Sequence, residues 1–172
     1  MTDARTPRSL QVERSRRGRV LLWIVAIVVV VGFGAWFVTH PAPLPAPAEP
    51  VQVRSPLGEA LYVGIYNPAS DDERTLHISQ VSIDVDGEVA VVRPLVCRDG
   101  AVSETTEPET FCSSLDEPEG ATVEPGDGLV LEILEDQEGE ATIQPVEISY
   151  RDGLQWGTQP VGPTVEASFV SR

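Results

Sequence analysis

The chain has no lysine, a single methionine at position 1, two histidines, two cysteines and few aromatic residues in its 172 positions. Without lysine there is no Schiff-base catalysis and no lysine to grip a nucleotide phosphate in a P-loop. With His77, Cys97 and Cys112 as the only nitrogen or sulfur ligands past His40, a zinc or copper centre falls short of the three or four such ligands it needs. No cofactor is expected. The sole candidate base, His77, sits in Leu76-His77-Ile78, where alternation makes it the solvent-side residue of a strand. No serine stands in a G-x-S-x-G elbow, and acids are so numerous that any catalytic carboxylate pair would be arbitrary. The composition therefore points away from an enzyme.

Charge is absent from one long stretch. Val20 to Val38 (VLLWIVAIVVVVGFGAWFV) holds 19 residues with no charged or strongly polar side chain, enough at about 1.5 Å per residue to cross most of a hydrocarbon core of about 30 Å. Trp23 near one end and Trp36 near the other suit the two headgroup zones. Six arginines and two acids precede the run, whereas six arginines and 25 acids follow it. The positive-inside rule then places residues 1–19 as a cytoplasmic arginine-rich tail, 20–38 as a transmembrane helix in the lipid bilayer of the plasma membrane, and the rest outside. A cleaved export signal is the competing expectation, because Ser15-Arg16-Arg17 has a twin-arginine character. Against it, the apolar run exceeds the usual h-region, and the small-x-small site Ala46-Pro47-Ala48 lies well beyond it. No cysteine follows closely enough for a lipid anchor, and Gly32 and Gly34 lack the four-residue spacing of helix-pairing seams.

The acidity of the outer part disfavours nucleic acid as a partner, since phosphates would meet like charge. His40 to Pro50 carries five prolines in eleven residues, so residues 39–50 read as an extended stalk of about 34 Å. Residues 51–172 form a domain large enough to bury about two thirds of its unfolded surface and to fold without a metal.

Beyond Glu59 the apolar residues recur with period two, and turn residues separate the runs. Strands are expected at Leu61–Tyr66, Leu76–Val85 with a bulge near Ser79-Gln80, Val89–Val92, Leu129–Leu134, Ala141–Tyr150, Leu154–Thr158 and Val165–Phe169. At Arg151-Asp152-Gly153 a three-residue loop would pair Tyr150 with Leu154 and Ile148 with Trp156, gathering apolar residues on one face. A three-residue turn at Val85-Asp86-Gly87 would pair Ile83 with Val89 and Val81 with Val91 but set Asp84 against the like charge of Glu88, so a two-residue Asp86-Gly87 turn stays an equal alternative. The fold class expected is mostly β: an antiparallel β-sandwich of immunoglobulin-like type, preceded by one N-terminal transmembrane helix.

Cys97 and Cys112, both on the oxidising side of the membrane, are expected to form a disulfide. The segment they enclose (RDGAVSETTEPETF) is acidic and poor in strand formers. It is the candidate recognition loop, with Glu104, Glu107 and Glu109 offered to a protein partner with a basic surface. The function expected is a membrane-anchored, non-catalytic binding or accessory module. Two alternatives remain open: a structural subunit that uses the transmembrane helix as its interface, and a calcium-dependent adhesion or sensing domain. The oxygen-rich groups Asp71-Asp72-Glu73, Asp84/Asp86/Glu88 and Glu135-Asp136/Glu138 motivate the second, although none has the spacing of a dedicated calcium loop.

Overall fold

A computed structural model describes residues 16–45, 49–68, 73–87 and 91–171. Contacts divide the chain into two units, Met1–Phe37 and Val38–Arg172.

Helix α1 spans Arg16–Thr39. Its core is rich in valine and isoleucine, poor helix formers in water, but in lipid a backbone must satisfy its own hydrogen bonds and the helix is the way a single segment does so. The large apolar side chains from Val20 to Phe37 are exposed on all sides, unlike the one-sided stripe of a helix on a soluble domain. The helix ends at Thr39, one residue ahead of the position where Pro41 disfavours α geometry. At 24 residues it extends about 36 Å, long and apolar enough to cross a membrane or to act as a signal sequence.

The second unit is mostly β. In chain order its elements are β1 (Val51–Pro56), β2 (Leu61–Tyr66), β3 (Leu76–Ser82), β4 (Val85–Gly87), β5 (Val91–Cys97), β6 (Glu104–Thr105), a short 3-10 turn (Pro108–Thr110), β7 (Leu115–Asp116), β8 (Thr122–Val123), β9 (Gly128–Leu134), β10 (Gly139–Ile143), β11 (Val146–Asp152), β12 (Gln155–Val161) and β13 (Val165–Val170). They build three sheets, of order β1-β13-β10-β4, β12-β11-β3-β8 and β6-β2-β9-β5-β7. Every described pairing is antiparallel except that of β1 with β13, which makes the first sheet mixed.

One core joins the three sheets. It takes Val53, Ile143, Val165 and Phe169 from the first, Ile78, Ile148, Tyr150 and Val161 from the second, and Val63, Leu131 and Ile133 from the third. Alternate residues along each strand supply these side chains, as period-two patterning requires. His77 emerges on the solvent face of β3, where its Nδ1 lies 2.9 Å from Thr122 Oγ1. The bulge also falls where expected: Ile78 pairs with Tyr150 and Gln80 with Ser149, leaving Ser79 as the extra residue.

Several expectations are corrected. The β11–β12 hairpin turns through two residues, Gly153 and Leu154, so that Asp152 pairs with Gln155 and Tyr150 with Gly157. Gly153 adopts φ +57°, a left-handed conformation that glycine takes without steric cost. Leu154 and Trp156 therefore lie outside the core. The side of β12 shared with buried Val161 carries Gln155, Gly157 and Gln159, so matching apolar residues across the hairpin selected the wrong register. Val85–Gly87 is likewise a strand and not a turn: Val85 pairs with Ile143 and Gly87 with Ala141. Val81 pairs with Ile148 and Val91 with Leu134, while Val89 lies outside the described residues. Ala141–Tyr150 divides into β10 and β11 at Gln144-Pro145, and β1 had no counterpart among the expected strands.

The polar side of β12 is explained by what covers it. Pro41 lies so close to Gly157 that a Cβ there would come within 2.5 Å of its ring. Gln155 Nε2 donates to the His40 carbonyl at 3.2 Å, and the Leu44 N–H donates to Gln159 Oε1 at 2.8 Å. Leu44 itself is only 6% exposed and belongs to the core. Proline at 41, 43 and 45 leaves this stretch few N–H groups but all its carbonyls, and glutamine amides, which both donate and accept, satisfy them. The first half of the proline-rich segment is thus a strap laid along the domain and not a free stalk. Gly157→Val is expected to dislodge the strap and cost about 2 kcal/mol by overpacking, measured by denaturant unfolding of a fragment that starts at His40. The same change in a fragment starting at Val51 should be nearly neutral, and an equal loss in both would show that the strap contributes nothing.

Candidate recognition loop

Cys97, the last residue of β5, is joined to Cys112 by a disulfide. Beyond it Arg98 and Asp99 turn the chain, with Asp99 at φ +50°, a left-handed conformation that aspartate tolerates better than most residues. The enclosed segment then folds back over the outward face of the third sheet. Val102 and Cys112 bury themselves there with Leu95, Cys97 and Val130, flanked by Tyr62 and Leu115, to form a second apolar cluster. The third sheet is therefore covered on both faces. This is why β2 and β9 carry apolar residues on both sides.

Close approach of the loop to the sheet depends on glycine. The Gly64 N–H donates to the Ser103 carbonyl at 2.9 Å, and a Cβ on Gly64 would stand 1.8 Å from the Val102 oxygen. Asn67 Nδ2 donates to that same oxygen at 3.0 Å. At the neck of the loop a Cβ on Gly100 would stand 1.9 Å from the Phe111 oxygen. Pro108 is buried, and its carbonyl receives the N–H groups of Phe111 and Cys112, each at 2.9 Å.

The base of the loop is closed by an ionic clamp that the sequence did not reveal. Arg98 Nη1 meets Asp127 Oδ2 at 2.7 Å, and Arg98 Nε meets Asp116 Oδ2 at 2.7 Å. Nη1 also donates to the Thr122 carbonyl at 2.6 Å. Asp127, 5% exposed, accepts further bonds from the backbone N–H groups of Asp99 and Glu124, each at 3.0 Å. Burial alone would raise the pKa of Asp127. The two N–H donors and the Arg98 guanidinium outweigh it and hold the carboxyl below its ordinary value. Ser113 completes the neck, its hydroxyl donating to Asp99 Oδ2 at 2.9 Å.

A second polar group crosses the outward face of the third sheet. Tyr62, Glu132 and Arg93 occupy one cross-strand row. The Tyr62 hydroxyl donates to Glu132 Oε1 at 2.8 Å and Arg93 Nε donates to Oε2 at 2.8 Å. Burial, then the bond to Glu132 and the charge of Glu132, push the Tyr62 pKa up to about 12, with Glu109 adding a smaller push in the same direction and Arg93 opposing it.

The three predicted glutamates occupy distinct elements of the loop. Glu104 begins β6 and pairs with Val63, Glu107 precedes the 3-10 turn, and Glu109 lies within it. All three side chains are exposed, and so is Phe111 at 52%. The loop therefore turns apolar residues toward the sheet and acids, with one aromatic ring, toward solvent. Phe111 was not singled out from the sequence, where it reads as an ordinary residue beside a cysteine.

Among the described residues no three His, Cys, Asp or Glu side chains gather as a metal site. Glu135 directs Oε1 to the N–H groups of Asp136 and Gln137 at 2.8 and 3.0 Å, and Glu138 bonds Ser171. Asp71, Asp72 and Glu88 lie outside the described residues. A shallow trough of about 530 Å³ runs over the first sheet, lined by Gln52, Arg54, Glu140, Thr142, Glu166 and Ser168, with Gln52 Nε2 bonded to Glu166 Oε2 at 3.1 Å. The chain matches no protein-family model, and comparison with curated proteins finds no significant similarity.

Proposed function

We propose that this protein is a membrane-anchored binding module whose β domain stands outside the plasma membrane and captures a protein with a basic surface, without catalysing a reaction. In this reading α1 stays in the bilayer as a single pass with residues 1–19 cytoplasmic, and the three sheets form an immunoglobulin-like β-sandwich. The observation that carries it is the two-sidedness of the 98–111 loop: it is fastened by the disulfide and the Arg98 clamp, yet it holds Glu104, Glu107, Glu109 and Phe111 in water. A loop already ordered loses little conformational freedom when a partner docks. Aromatic residues are enriched at contact surfaces, where a polar rim surrounds them.

Deleting the loop would be a poor test, because Val102 covers part of the sheet and its loss would expose Val130. The informative variant replaces Glu104, Glu107 and Glu109 together by glutamine, which leaves the buried side untouched. In native membranes it should retain its fold by circular dichroism. The amount of protein partner captured by crosslinking in those membranes should fall about tenfold at low salt and lose its salt dependence. If the same partners are captured undiminished, while replacing Val20–Val38 by an unrelated apolar span loses them, the binding-module reading gives way to that of a membrane-complex subunit.

A further inference from the structure

We infer that the end of the β11–β12 hairpin is a lipid-contacting foot that seats the domain on the membrane its own helix enters, an inference that rests on the membrane-anchor reading above. Leu154 is 78% exposed and Trp156 is 54% exposed, two large apolar side chains within three residues. Among the described residues of the β unit the other exposed large apolar side chains, Val91, Phe111 and Val170, stand singly on separate elements. Most of Leu154 and about half of Trp156 lie outside the protein's own packing. Hydrophobic groups concentrated at a hairpin tip require an apolar phase outside the protein to be stabilising.

Chain connectivity identifies that phase. Gln155, between the two exposed residues, donates to the carbonyl of His40, and His40 directly follows Thr39, the last residue of α1. Pro41 against Gly157 and Leu44 against Gln159 continue the same strap along the strand. The hairpin tip is therefore tied to the residue at which the chain leaves the helix. If α1 is the anchor, His40 is where the chain leaves the bilayer, and the hairpin tip bonded to it is within reach of the lipid.

The side chains suit the headgroup zone. Trp156 pairs across the hairpin with Arg151, whose guanidinium carbon lies 5.6 Å from the indole centroid, and Arg151 pairs in turn with His77. An indole beside a cation is a composition that headgroup regions favour. Asp152 lies in the same hairpin, and Glu73 and Arg74 precede its partner Leu76. The charges at this end are thus mixed in sign, so contact is carried by the leucine and the indole, and attraction to anionic lipid is not needed.

The test uses the full chain in phosphatidylcholine vesicles with Trp23 and Trp36 changed to phenylalanine, leaving Trp156 as the only tryptophan. Lipid brominated near the headgroup should quench its emission more than lipid brominated at the chain terminus, and Leu154→Asp should remove most of that quenching. Emission that stays water-like, open to an aqueous quencher and blind to brominated lipid, overturns the inference. Companion proteins retaining only Trp23 or only Trp36 separate the causes. If those are quenched by brominated lipid and Trp156 is not, the foot alone is wrong. If none is quenched, the membrane anchor is wrong and the foot falls with it.

Discussion

Asp127→Ala is expected to lower the stability of the β domain by about 2–3 kcal/mol, because it takes one partner from the partly buried Arg98 guanidinium and strands the N–H groups of Asp99 and Glu124. Asp116→Ala should cost less, since that carboxylate is about half exposed and contributes one contact. The pH dependence has a definite sign. The carboxyl of Asp127 titrates below its ordinary value in the folded protein, so its contribution is complete above the unfolded pKa and is lost as pH falls through the lower folded value. Denaturant unfolding of the wild-type protein should therefore weaken on the acid side of about pH 4, and Asp127→Asn should flatten part of that limb. An unchanged acid limb in Asp127→Asn would remove the clamp from the account of stability.

Breaking the Cys97–Cys112 bridge should have a comparable effect, about 3 kcal/mol for a loop of this length in the chain-entropy model. For a domain of this size that corresponds to a fall in Tm of about 10 °C. The measurement is a thermal melt with and without reductant, with mass spectrometry to establish that both thiols were released. The loss should be accompanied by exposure of the cluster around Val102 and Val130, seen as faster amide exchange in β2 and β9, because the bridge holds the cover on that face. Equal melting temperatures with both thiols verified as free would contradict this.

What the sequence made legible was local. Period-two alternation located Leu61–Tyr66, Leu129–Leu134 and Val165–Phe169, because each strand states its own buried face. The phase jump after Ile78 located the bulge for the same reason. What could not be read was any relation between distant segments. Arg98 and Asp127 lie 29 residues apart, and each stands in a stretch that reads as an ordinary polar turn. The hairpin register failed at Tyr150 because matching apolar residues across it assumes that both strands face the same cover, whereas β12 faces a proline strap from before β1. Val85–Gly87 was read as a turn because Asp-Gly commonly makes one; here Gly87 at φ +112° serves close strand contact instead, with a Cβ position only 2.7 Å from the Glu140 carbonyl. The acidity of the loop at Glu104, Glu107 and Glu109 was legible in the sequence. Phe111, their aromatic neighbour, was not, since exposure is a property of the fold.

The parallel pairing of β1 with β13 has a mechanical consequence. Val51 lies beside Val165 and Pro56 beside Val170, so the start of the first strand and the finish of the last one are at opposite ends of the same ladder. A pull applied between Val51 and Val170 acts along the two strands in opposite directions. The rungs between them are then sheared together and must fail nearly at once, instead of opening one by one as in a zipper. Tension between those two points is carried by one ladder, whereas a pull applied ahead of Pro41 would first load the strap held on β12.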